Sequence, residues 1–103
     1  MSIPVDVADL PAALADFDDG YLLTNTEGRV KVVHARPVLT DGVLRVSAPG
    51  RGSLANALAN PAVTLLWPSR SPGGPSLLVD GTASIDAEAV LVTPDSGVLH
   101  VQR

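Results

Sequence analysis

Residues 43–68 run Val43-Leu-Arg-Val-Ser47, Ala48-Pro-Gly-Arg-Gly-Ser53, Leu54-Ala-Asn-Ala-Leu-Ala59 and Asn60-Pro-Ala-Val-Thr-Leu-Leu-Trp-Pro68. The first block is rich in strand formers and predicts a strand over 43–48. Pro49-Gly50-Arg51-Gly52-Ser53 cannot continue it. The Ala and Leu content of 54–59 predicts a short helix, with Ser53 placed to cap its N-terminus. Asn60-Pro61 stops that helix. Ala62–Trp67 is then a near-continuous apolar run bounded by Pro68, the pattern of a buried strand. Strand, glycine-rich turn, helix and strand thus succeed one another within 26 residues.

Working outward, Asp41-Gly42 is the strongest hairpin signal in the chain, because a tight turn needs positive φ. It predicts that 43–48 pairs back onto a strand over Arg29–Leu39. Upstream again, Thr26-Glu27-Gly28 predicts a turn from a strand over Tyr21–Asn25. From Val7 to Asp18 the pattern is helical, with Asp9 as N-cap, Pro11 in the first turn, and Leu10, Leu14 and Phe17 on one stripe. On the other side, Ser69–Pro75 is a Pro/Gly loop and Ser76–Ile85 a strand. Gly81 there marks a bulge or a close backbone approach. Asp86-Ala-Glu88 is a turn, and Val90–Arg103 holds one or two last strands divided at Pro94-Asp-Ser-Gly97. The expectation is a single mainly-β domain over 1–103: six antiparallel strands in a small closed or partly open barrel with short flanking helices. Such a barrel has little interior room, which directs any ligand to its outside or to a subunit interface.

Composition narrows the function. The 103 residues are 46% hydrophobic and 17% charged, enough to offset the ordering entropy of a single core. Net charge is −4 and aromatics are 3% of the chain, which removes both the basic footprint and the stacking platforms of a nucleic-acid binder. No cysteine is present, so disulfides, thiolate metal ligands and thiol nucleophiles are excluded. The longest apolar runs fall short of a membrane span, and acids stand where a signal peptide would be basic. A soluble cytoplasmic protein is the expectation.

Few residues carry recognisable chemistry. Gly50-Arg51-Gly52-Ser53 opens a helix, and a helix start presents unpaired backbone N–H groups and the positive end of a dipole, which suits an anion. The same glycines also serve a plain turn. Arg29, Lys31, His34 and Arg36 concentrate basic groups within eight residues of an otherwise acidic chain. Alternation puts Lys31 on the face of Val33, and His34 on the face of Val30 and Val32. A solvated outer face accounts for them equally well. His34 and His100 lack partners at metal-ligand spacing, and no nucleophile elbow, dinucleotide fingerprint or Walker loop is present. Asp18 and Asp19 read as helix-end, solvent-facing acids, and Trp67 as core or interface.

From Tyr21 to Ala83 the chain resembles the FMN-binding split barrel of the pyridoxamine 5′-phosphate oxidase-like family. The likeness rests on Val43–Ser47, Gly50–Ser53, Asn60–Pro68 and Val79-Asp-Gly-Thr-Ala83, which match the family's strand, phosphate loop, Asn-Pro stop, apolar strand and Val-x-Gly-x-Ala strand. The resemblance implies a homodimer with two flavin sites at the subunit interface. Lys31 falls where the oxidases have a phosphate-binding Arg, Arg36 where they have a flavin-contacting Lys, and Ser47 where they have a Thr. Arg51-Gly52-Ser53 occupies the place of a Ser-Arg-Lys stretch, and Ser76 that of a flavin-contacting Gln.

The resemblance also implies an oxidoreductase-like protein that binds FMN or a deazaflavin. Lys31, Ser47, Arg51 and Ser53 would hold the phosphate, with Arg36, Ser76 and the backbone of Val32 and Val33 near the ring. No side chain need act as acid or base, since the cofactor carries the hydride chemistry. Pyridoxamine phosphate oxidation itself is not expected, because the oxidases' C-terminal basic residues have no counterpart before Arg103. The alternative is a dimeric binding or scaffold module on the same barrel that uses no cofactor.

Overall fold

A computed structural model describes residues 1–101. Eight strands form one antiparallel sheet: β1 (Ser2–Val5), β2 (Gly20–Thr26), β3 (Arg29–Ala35), β4 (Val38–Thr40), β5 (Val43–Ser47), β6 (Ala62–Trp67), β7 (Ser76–Asp86) and β8 (Ala89–His100). Two short helices accompany them, α1 (Leu10–Leu14), preceded by a 3₁₀ turn, and α2 (Arg51–Ala59). The mainly-β barrel is as expected, but eight strands replace six. One extra strand arises because Arg29–Leu39 is broken at Arg36-Pro37. Pro37 has no N–H to donate, and the chain changes partner there, β3 pairing with β2 and β4 with β5. The other is β1, which adds to β8 over Ser2↔His100 to Val5↔Gly97. Pro4 is tolerated there because β1 has no second neighbour among the described strands.

The strand order is β3-β2-β6-β7-β8-β5-β4, with β1 also on β8. Long β8 is shared along one edge, its first half paired with β5 through Ala89–Val92 and its second with β1 through Gly97–His100. This explains why Pro94-Asp-Ser-Gly97 does not divide the strand as expected. Pro94 lies in the interval 93–96, where neither β5 nor β1 pairs with β8. The local irregularity is absorbed by a register shift opposite Asp80/Gly81. Gly81 is needed at that shift, since a Cβ there would sit 2.5 Å from Val92 Cγ1 and 2.7 Å from the Thr93 carbonyl oxygen. The expected bulge with close backbone approach is therefore present.

Alternation places Leu22, Leu44, Val46, Leu65, Leu77, Val79, Val90 and Val92 inside, all but sealed from solvent, and Trp67 joins them. The barrel interior is a packed core. Each hairpin predicted from its turn forms: Glu27-Gly28 and Asp41-Gly42 both have φ positive at the two turn positions, the geometry that matches strand twist. The helices differ more. Instead of one helix over 7–18, α1 proper spans five residues, and Asp9 makes no side-chain cap bond. Phe17 lies beyond its end. Helix α2 begins three residues earlier than expected, with Gly50 as N-cap at φ 102 and Ser53 inside the first turn, so Ser53 does not cap. No helix among the described residues is long and apolar enough to cross a membrane.

Candidate functional site

Helix α2 crosses one end of the barrel, against β2 and β7, and a polar staple holds it there. Asn56 donates from Nδ2 to Thr24 Oγ1 at 3.1 Å and accepts at Oδ1 from Thr26 Oγ1 at 3.0 Å. Asn60, at the helix end, donates to the carbonyl of Asn25. These bonds fix the β2–β3 hairpin against α2, and with it Lys31, which pairs with Thr24 in the sheet. The consequence is local and specific. The Lys31 side chain lies over the first turn of α2, its Nζ and Cε only 3.1 Å from where a Cβ on Gly52 would be. A side chain at position 52 would displace the ammonium group, so the glycine makes the approach possible.

Charge pairing sharpens the picture. Among the described residues, Arg36 is paired with Asp19, Arg45 with Asp86 and Arg70 with Asp18. Arg29, Lys31 and Arg51 have no carboxylate partner among them. Two of these sit on β3, in the hairpin stapled to α2, and Arg51 is the helix's first residue. Lys31 and Arg51 therefore lie where free helix N–H groups favour negative charge, while Arg29 stands at the hairpin turn opposite Thr26, whose hydroxyl bonds Asn56 further along the helix. Ser53, in the first turn of α2, is fully buried, and its Oγ has no hydrogen-bond partner among the described residues. An unsatisfied buried hydroxyl costs on the order of 1–3 kcal/mol.

The other predicted positions are dispersed. Ser47 ends β5 and opens onto a shallow depression shared with Arg45 and Glu88, beside a left-handed Ala48 at φ 48. Arg36 is exposed, but its Nε donates to Asp19 Oδ2 at 3.1 Å, the oxygen that also meets His34 Nε2 at 3.1 Å. Ser76 starts β7, five residues along from Gly81, which lies in the Lys31 row, so within one chain it stands away from Lys31. Val32 and Val33 differ from each other. The turn at Glu27-Gly28 closes the Thr26–Arg29 pair, so alternate pairs Thr24–Lys31 and Leu22–Val33 exchange backbone bonds. Val30, Val32 and His34 then direct their peptide groups to the open edge of β3, which no described strand covers.

Sequence reasoning missed Asn56 and Asp19. Asn56 reads as an ordinary mid-helix polar residue, and only the fold puts Thr24 and Thr26 in front of it. Asp19 reads as a solvent-facing acid. It bridges His34 and Arg36 across 15 and 17 residues, and no local pattern reports that.

No family model matches the chain. Two mycobacterial proteins do, the uncharacterized protein Mb0449c of Mycobacterium bovis and MT0457 of Mycobacterium tuberculosis. Each is 39% identical over 113 aligned positions, covering 93% of this chain and 80% of the relative. Among solved structures, a Listeria innocua protein provisionally assigned as a pyridoxamine 5′-phosphate oxidase superposes with TM-score 0.73 at 16% identity, over 90% of this chain and 96% of that one. The FAD-binding protein of Mycobacterium smegmatis gives 0.72 at 17%, over 97% and 99%. An F420 reductase gives 0.64 at 19%, over 80% and 89%. The chain belongs to one family with the two mycobacterial relatives and has the split-barrel fold of the pyridoxamine 5′-phosphate oxidase-like proteins.

Proposed function

We propose that this protein is a flavin-type cofactor binder of the oxidoreductase class, taking FMN or a deazaflavin with the anionic tail at the start of α2. The observation that carries this reading is the approach of Lys31 to the first turn of α2, where Arg51 begins the helix, both cations without a carboxylate partner among the described residues, beside the buried Ser53 hydroxyl that has no hydrogen-bond partner among them. Structural neighbours named for FAD binding and F420 reduction support the same class. Lys31 and Arg51 supply charge to the tail, and Ser53 an additional hydroxyl, with Ser47 at the margin. The free peptide edge at Val32 offers a donor and an acceptor to a polar ring edge, and Arg36 lies at the far end of that strand. When bound, the flavin supplies the hydride or electron transfer, and the protein's part is to orient it and exclude water. Arg51→Ala is expected to weaken FMN affinity about tenfold, the value of one charge-assisted contact at an exposed position, as read by fluorescence quenching. Unchanged affinity removes Arg51 from the site.

The reading includes a homodimer. Val30 and Val32 are 59% and 53% exposed on the open edge strand, an apolar edge that the described chain leaves uncovered. Val32→Asp is expected to turn a dimer into a monomer by sedimentation while leaving the circular dichroism spectrum intact. A variant that sediments as the wild type does places the interface elsewhere. One observation favours a module without cofactor: Arg36 is already engaged by Asp19. A colourless protein that quenches neither FMN nor a deazaflavin at micromolar concentration selects that reading.

A further inference from the structure

At the end of β3 opposite Lys31 the chain turns away at Pro37, and β4 runs for only three residues before the Asp41-Gly42 turn. Because β4 leaves the β2–β3 hairpin and α1 is also short, the two do not close on each other. Between them lies a concavity of about 780 Å³. Its walls are aliphatic: Leu10, Pro11 and Leu14 from α1, Val38 and Leu39 from β4, and Pro94 from the irregular stretch of β8. Such a volume is that of a small-molecule site. Val38 stands at the groove 60% exposed, apolar surface that nothing among the described residues covers.

Charge selects the occupant. Among the described residues, Asp41 is the one charged group in the lining, and no Lys, Arg or His contributes to it. Its carboxylate has neither an ion pair nor a side-chain hydrogen bond among those residues. The turn does not require that charge. Position 41 needs a residue that tolerates φ 51, and Asn serves as well as Asp. Asp41 is exposed at the rim of the groove, so an anion entering there would meet a like charge, while a cationic head group would gain an ion pair that a neutral ligand lacks. We infer that the groove between α1 and the β4–β5 hairpin binds a small hydrophobic amine, its hydrocarbon body against the aliphatic walls and its ammonium group at Asp41. This site is separate from the cofactor reading and stands without it.

Three probes of nearly equal hydrocarbon volume test the assignment: 1-adamantanamine, 1-adamantanemethanol and adamantane-1-carboxylate, titrated into isotope-labelled protein and followed by methyl NMR. The amine is expected to bind saturably below millimolar concentration, shifting the Leu10, Leu14 and Val38 methyls. The carboxylate should bind at least about tenfold more weakly. Asp41→Asn keeps the turn chemistry and should lower amine affinity about fivefold or more while leaving the alcohol unchanged. Val38→Lys, at an exposed position, should abolish binding of the amine without unfolding the protein. Carboxylate binding as tight as the amine's, an Asp41→Asn variant with unaltered amine affinity, or no shifts at all would overturn the assignment. So would a Val38→Lys protein that changes from dimer to monomer while no probe shifts the wild-type groove, since a second copy would then be the occupant.

Discussion

Lys31→Glu is expected to weaken FMN binding by roughly 100-fold or more, about 3 kcal/mol, while leaving the thermal transition nearly unchanged. The expectation comes from position. Lys31 is exposed on an edge strand, contributes nothing to the packed interior, and has no carboxylate partner among the described residues whose loss would destabilise the fold. Its terminal atoms rest against Gly52 at the first turn of α2, so the substitution replaces a cation with an anion at the proposed phosphate seat. Loss of the contact and new repulsion act together, which is why this change should exceed Arg51→Ala. Equilibrium titration beside differential scanning calorimetry separates the two effects. A large fall in both affinity and melting temperature would make Lys31 a structural residue and leave the seat unsupported.

Leu65→Ala should be strongly destabilising, lowering stability by about 2–5 kcal/mol. Leu65 is sealed from solvent on β6, paired with Leu22 and with Val79 on its two sides. Because the neighbouring side chains come from strands tied on both edges, the cavity cannot readily collapse. At roughly 4–8 °C per kcal/mol for a domain of this size, the melting temperature should drop by roughly 10–30 °C. The loss is a large share of the roughly 5–15 kcal/mol typical of a whole domain. A fall of only a few degrees would mean that the interior between β2, β6 and β7 is not packed as described.

Local chemistry made some of this architecture legible and left the rest unwritten. Asp41-Gly42 and Glu27-Gly28 announce their hairpins because two successive positive φ values demand residues of that kind. Asn60-Pro61 ends α2 for an equally local reason, and Gly81 reports its close neighbours through the side chain it lacks. Strand β1 is different. Ser2-Ile3-Pro4-Val5 is a poor strand by composition, and it exists because β8, at the other end of the chain, offers a free edge. Pro94 misleads in the same way, since whether a proline interrupts a strand depends on which neighbours bond to it there.

The site divides along the same line. Lys31, Arg51 and Ser53 can be selected from residue type and family resemblance. The placement of Lys31 on Gly52 depends on Asn56 gripping Thr24 and Thr26, which is tertiary. Ser53 reads as a cap and is not one, because Gly50 at φ 102 starts the helix sooner than a serine could.

Comparing riboflavin with FMN in titrations of the wild-type protein isolates the seat at α2, because the two ligands share the ring system and differ in the phosphate. Saturable FMN binding at least about tenfold tighter than riboflavin, with the difference erased in Lys31→Glu, is the predicted result. Equal affinity for both ligands, or no binding of either, would contradict it.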